Sequence, residues 1–163
     1  MSELLQQLND VAAVLRGRTD IRKIVDKLKQ EVQSATESFV WSTFDLGGLE
    51  SLLPSNIKSG WIFVLKRDIP SGCHYHPNSV QHMVLIEGQG HSNVGGQLRE
   101  MIQFGAPDRA LSDIWYVIDA GVHHEFFPTV IDMVVMSFHT CPADELDEIA
   151  CETGLRRSYK LEA

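Results

Sequence analysis

A chain of 163 residues is long enough for one domain with its own core, since about two-thirds of the unfolded surface can be buried at this size. Its 22 acidic against 14 basic residues give a net charge of −8, and no basic run exceeds a pair, which argues against gripping nucleic-acid phosphates or anionic lipid. The hydrophobic share of 44% is ordinary for a soluble globular protein, and no apolar run nears the roughly 20 residues of a membrane span.

The N-terminal MSELLQQLND carries acids where a secretory signal would carry Lys or Arg and a continuous apolar stretch. Cys73, Cys141 and Cys151 are odd in number and lack a framework spacing. A cytoplasmic protein without a disulfide scaffold is therefore expected.

Residues 2 to 33 read as helix. Leu4, Leu5, Leu8, Val11, Ala12 and Leu15 recur at steps of three and four, with Gly17 as a stop. Thr19 is placed to cap a second helix whose stripe is Ile21, Ile24, Val25, Leu28 and Val32. These stripes either face the core or form a dimer contact, and no heptad persists long enough for a coiled coil. Residues 1–36 are thus expected to be a helical segment packed on the strand-rich remainder of the domain.

From residue 37 to 142 the pattern turns to strands. Runs such as Trp61 to Arg67, Val80 to Glu87, Ile114 to Ile118 and Val130 to Phe138 are separated by Gly, Pro, Asn, Asp and Ser. Gly95-Gly96 reads as a hairpin turn between Gly90–Val94 and Gln97–Phe104. About seven or eight such strands imply an all-β sandwich or barrel. Beyond it, 143–163 is expected to hold a short C-terminal helix from Ala143 to Glu152, ended by Gly154, and a poorly ordered tail.

The chemistry gathers on histidines. His74 and His76 are two apart on a strand and share a face, leaving Cys73 and Tyr75 turned away. Pro77-Asn78-Ser79 lets the chain turn so that Gln81 comes back beside them. His82 alternates away from Gln81, His91 has no spacing argument, and His139 ends a long strand near the mouth of the site. Two imidazoles and an amide oxygen make a metal-site candidate that needs one more ligand from a distant segment, which Gly121-Val122-His123-His124 supplies.

The run Cys73-His74-Tyr75-His76, four residues, Gln81, six residues, Gly88 resembles the first motif of the cupins, and Asp113 to His124 resembles the second, with 24 residues between them. The sequence departs from the pattern at Asp68 and Asp119, where the motifs have glycine and proline, at Pro128, where an asparagine is usual, and at Gln81, where glutamate is usual. The resemblance implies an antiparallel jelly-roll (cupin) barrel and one divalent ion (iron, manganese, nickel or zinc) held by His74, His76, Gln81 and His124. His123 then falls on the opposite face. An apolar wall is expected from Met83, Leu85, Trp115 and Phe126 or their strand neighbours, with His139 at its rim.

Three neutral imidazoles and a neutral amide would leave the ion its full charge, suited to an anionic or chelating small molecule. The function implied is a metal-dependent enzyme, an iron(II) dioxygenase slightly ahead of a redox-neutral isomerase or lyase. A ligand-binding module without catalysis is the other class. A homodimer is expected, with no nucleic-acid or membrane partner.

Overall fold

The computed structural model describes residues 2–159. Helices α1 (Ser2–Gly17) and α2 (Thr19–Ser34) form where the three-four spacing predicts them. Arg18, rather than Thr19, is the cap residue of α2, and its guanidinium pairs with Asp20 at 2.7 Å. Leu8, Val11, Ala12, Leu15, Ile21, Leu28 and Val32 are buried and pack with Ile62, Val64, Val134 and Met136 of the adjoining sheet. Each buried leucine contributes about 1.5–3 kcal/mol, so the stripes fasten the helices to the chain's own core.

The strands are β1 (Phe39–Phe44), β2 (Ser59–Leu65), β3 (His74–Tyr75), β4 (Gln81–Glu87), β5 (Gly90–Val94), β6 (Gln97–Glu100), β7 (Trp115–Ile118), β8 (His124–Pro128), β9 (Met133–His139), β10 (Asp147–Ala150) and β11 (Arg156–Ser158), with a single-turn helix α3 (Leu111–Ile114) before β7. One sheet runs β1-β2-β9-β4-β7 and the other β11-β10-β3-β8-β5-β6. Strand pairing is antiparallel within both sheets. The architecture is a jelly-roll sandwich of two facing sheets rather than a closed barrel. Phe39, Leu65, Met83, Leu85, Tyr116, Ile118, Phe126 and Val135 fill the space between the sheets, while the helices cover the other face of the first.

Two backbone positions tie the sequence motifs to this shape. A Cβ on Gly88, at φ +110°, would lie 2.6 Å from the Asp132 carbonyl, so the hairpin after β4 needs glycine there. Asp68, standing where the motif has glycine, keeps a left-handed backbone at φ 59°, which Asp tolerates better than most residues.

The C-terminal expectation is corrected. Only Ala143–Glu145 is helical, as one 3-10 turn, and β10 and β11 follow as a hairpin on the edge of β3. Leu146, Ile149 and Ala150 fit a helical period too, but an isolated ten-residue helix is marginal and the open edge of β3 offers a full ladder. The tail is ordered as far as Tyr159, which is 1% exposed; residues 160–163 lie outside the described residues.

The cysteine expectation is corrected with it. Cys73 and Cys151 form a disulfide across 78 residues because β10 ends beside the start of β3. Cys141 is free and buried. The cysteine pattern therefore no longer argues for a reducing compartment. Among the described residues no helix is long and apolar enough to cross a membrane.

Candidate metal centre

β3 is short, and its two neighbours meet at one residue: His74 pairs with His124 of β8 on one side and with Ala150 of β10 on the other. His74 and His76, two residues apart, share the inner face. The result is a cluster of three imidazoles. One ring nitrogen from each of His74, His76 and His124 lies within 4.8 Å of the others. His76 is 5% and His124 1% exposed, so the cluster is largely cut off from water.

The hydrogen bonds fix which nitrogens are free. His74 Nδ1 lies 3.0 Å from the Gly72 carbonyl, His76 Nδ1 2.7 Å from the Asp147 carbonyl, and His124 Nδ1 2.9 Å from the Val122 carbonyl. A carbonyl only accepts, so each Nδ1 carries the proton and donates it. In a neutral ring with that tautomer Nε2 carries the lone pair, the form in which imidazole binds a metal. His124 Nε2 is buried and has no hydrogen-bond partner. Burial, followed by the neighbouring His74, lowers the His76 pKa to about 4, and the same causes push His124 well below its ordinary value. These two rings are neutral at pH 7.

Gln81 begins β4 and lines the same cavity as His74 and His76. Its Nε2 donates to Ser137 Oγ at 3.1 Å, which leaves Oε1 buried without a partner. Four nitrogen and oxygen donors without thiolate suit a borderline or hard divalent ion. A buried polar atom without a partner costs about 1–3 kcal/mol, and three stand in this region, Gln81 Oε1, His124 Nε2 and His139 Nε2.

The cavity is small, with about 30 Å³ of free space, enough for one or two water-sized groups. Its apolar wall is Phe39, Phe63, Leu65, Met83, Phe126 and Val135. Met83 and Phe126 are thus at the wall, whereas Leu85 is buried in the same core cluster farther along β4. Trp115 is not in the wall. It lies on the helix side of β7, where its Nε1 donates to Asn9 Oδ1 at 3.0 Å, and Tyr116 and Ile118 are the residues that turn inward. His139 is fully buried, with its ring 5.0 Å from that of His76 and Nδ1 on Ser79 Oγ at 2.8 Å. His123 is exposed on the outer face and stacks on Tyr75 at 4.9 Å. His82 lies across β4 from Gln81, near the Phe138 carbonyl.

Glu148 on β10 has no signature in the sequence pattern. It is the only carboxylate lining the cavity among the described residues, 8% exposed, with Oε1 3.7 Å from His74 Nε2. Tyr159 donates to Oε1 at 2.6 Å, and Arg157 Nε forms an ion pair with Oε2 at 3.1 Å. Burial and Glu148 hold the Tyr159 pKa well above its ordinary value, so the phenol stays protonated as the donor. The turn residues Thr153-Gly154 between two short segments are the one available sign of a hairpin that could carry Glu148 inward.

No protein-family model matches the chain, and no curated protein does. Solved structures match in shape. A variant of the salicylate 1,2-dioxygenase from Pseudoaminobacter salicylatoxidans aligns at TM-score 0.57 and 11% identity, over 83% of this chain and 38% of that one. Procruciferin, an 11S globulin from Brassica napus, aligns at 0.52 and 12%, over 71% and 28%. An oxalate oxidase in complex with the substrate analogue glycolate aligns at 0.50 and 12%, over 72% and 57%. The chain thus spans little more than half the length of the oxalate oxidase and less of the other two. A dioxygenase, an oxidase and a globulin share this shape, so the likeness fixes architecture and leaves activity to the site. The architecture these proteins have in common is that of the cupin family, and this chain has the cupin fold.

Proposed function

We propose that this protein is a metal-dependent cupin enzyme in which the Nε2 atoms of His74, His76 and His124 and the Oε1 atom of Gln81 hold one divalent ion, acting as an iron(II) dioxygenase on a small anionic or chelating metabolite. The observation that carries this reading is the cluster itself: backbone carbonyls accept from the three Nδ1 atoms, and one ring nitrogen of each histidine lies within 4.8 Å of the others. When bound, the ion supplies Lewis-acid polarisation and, as iron, redox capacity.

The chain's own residues supply the rest. Phe39, Phe63, Leu65, Met83, Phe126 and Val135 exclude water, which strengthens every charge interaction inside. The narrow space favours a substrate of few atoms. Gln81, being neutral, avoids repelling an anionic ligand as a glutamate would. Glu148 Oε1, oriented by Tyr159 and Arg157, is placed to take a proton from an acidic substrate entering beside His74. That carboxylate is also the observation that favours the second reading, a redox-neutral isomerase or lyase working by proton abstraction.

The test is metal analysis of the purified protein, then oxygen uptake by the iron(II)-loaded protein against thiols, β-diketones and hydroxy acids. Uptake that disappears in His124→Ala supports the dioxygenase. Turnover without oxygen consumption moves the assignment to the isomerase. Tight metabolite binding without turnover makes the protein a binding module.

A further inference from the structure

A second set of donors sits one residue beyond the ends of β3, β8 and β10. Cys73 immediately precedes His74 of β3, His123 immediately precedes His124 of β8, and Cys151 immediately follows Ala150 of β10. Side chains alternate across a strand, so each one-residue step moves from the inner face to the outer. There Cys73 Sγ, Cys151 Sγ and a ring nitrogen of His123 lie within 4.8 Å of one another. The two cysteines are half-buried and His123 is exposed, so the trio meets solvent. The Cys151 N–H donates to the Cys73 carbonyl at 3.0 Å, which holds the two backbones together independently of the sulfur–sulfur bond. His123 lies flat on Tyr75, 11° from parallel, which fixes its ring beside the sulfurs. Cys73 and Cys151 have Cα atoms 5.4 Å apart.

We propose that Cys73, Cys151 and His123 form a second, redox-convertible metal site that binds a thiophilic divalent ion such as zinc when the disulfide is reduced. An external dithiol supplies two electrons and two protons: the sulfur–sulfur bond breaks, two thiols form, and the dithiol leaves as its own disulfide. Zinc then displaces both thiol protons to solvent and takes two thiolates and one neutral imidazole, with water in the fourth position on the exposed side. Two thiolates neutralise the ion, whereas the inner imidazoles and amide leave it charged. The two sites therefore sort metals by softness, the outer for zinc and the inner for a nitrogen–oxygen metal. An external disulfide reverses the step: it exchanges with the two thiolates, takes their two electrons and two solvent protons to leave as its dithiol, re-forms the Cys73–Cys151 bond and releases the ion.

The test uses cobalt(II) on the full chain, because thiolate-to-cobalt charge transfer absorbs in the near ultraviolet and the inner centre has no thiolate. Protein reduced with dithiothreitol and desalted without oxygen is titrated beside the oxidised protein. The expected result is one thiolate-bound cobalt per reduced chain, displaced by zinc, and none in the oxidised chain. Cys73→Ser should lose the absorption, and His123→Ala should weaken cobalt binding by about 10-fold or more, as loss of an imidazole ligand requires. Should Cys73→Ser fail to fold, alkylating the reduced protein must abolish the absorption instead. Reduced protein without the charge-transfer band overturns the proposal, and so does a band whose affinity is unchanged in His123→Ala.

Discussion

Replacing Gln81 with Glu tests the charge of the metal centre with almost no change of shape. Gln81 is 5% exposed, its Nε2 is engaged by Ser137, and its Oε1 has no partner. In the metal-free protein a glutamate there must stay protonated or be an unpaired buried anion. Holding a carboxyl with an ordinary pKa near about 4.3 in its neutral form at pH 7 costs at most about 4 kcal/mol, and only about 1 kcal/mol at pH 5. Ser137 can turn its hydroxyl toward a carboxylate, which makes these upper bounds. For a domain of this size each kcal/mol moves the melting temperature by about 2–4 °C. Metal-free Gln81→Glu should therefore melt up to about 8–16 °C below the wild type at pH 7 and much closer to it at pH 5. Added metal should erase the deficit, because the ion pairs the carboxylate. Turnover of an anionic substrate should fall, since a loss of even about 2 kcal/mol at the transition state is roughly a 30-fold drop in rate. Thermal melts with and without metal at both pH values, beside steady-state rates, measure all of this. A metal-free variant as stable as the wild type at pH 7, or a metal-induced rise no larger than the wild type's, refutes the placement of Gln81 against the ion. Unchanged or faster turnover refutes the charge argument even if the ligand set stands.

His124→Ala should purify without metal while His123→Ala keeps its inner ion, as read by elemental analysis; the reverse result would move the ligand to the outer face. Metal-free protein should lose stability on acidification, because the His76 pKa is lowered to about 4 in the folded state and the unfolded chain takes up its proton first. The contribution is intact above about pH 6.5 and lost as pH falls toward 4, at most about 3 kcal/mol for His76, with His124 and His139 shifted in the same direction. Urea midpoints that do not fall between pH 7.5 and 5 would contradict it. Glu148→Gln should keep the metal and fold, yet slow any reaction that needs a proton taken from substrate by about 10²-fold or more. Equal rates in the two proteins would reduce Glu148 to a partner of Arg157 and Tyr159.

The sequence is legible where polar residues mark the pleat. His74-Tyr75-His76 and Gln81-His82-Met83 each place a polar side chain where its alternation can be counted, and a strand's period of two does the rest. β7 carries no such mark. Trp115, Tyr116, Val117 and Ile118 are large and apolar on both faces, because one face meets the helices and the other meets the second sheet. Neither parity is penalised by burial, and α3 ends directly before the strand, so no turn anchors the count. The pattern alone accordingly puts Trp115 on the wrong side. The C-terminal hairpin is hidden for a different reason. Leu146, Ile149 and Ala150 satisfy a helical stripe, and what decides against a helix is the free edge of β3 some 70 residues earlier. That one pairing brings in Glu148, seats the Asp147 carbonyl on His76, and carries Cys151 to Cys73. His74 and His76 are legible because their geometry is local, and His124 through the motif it completes; the carboxylate beside them and the cysteine pair behind them exist only through the pairing of β10 with β3, segments distant in sequence.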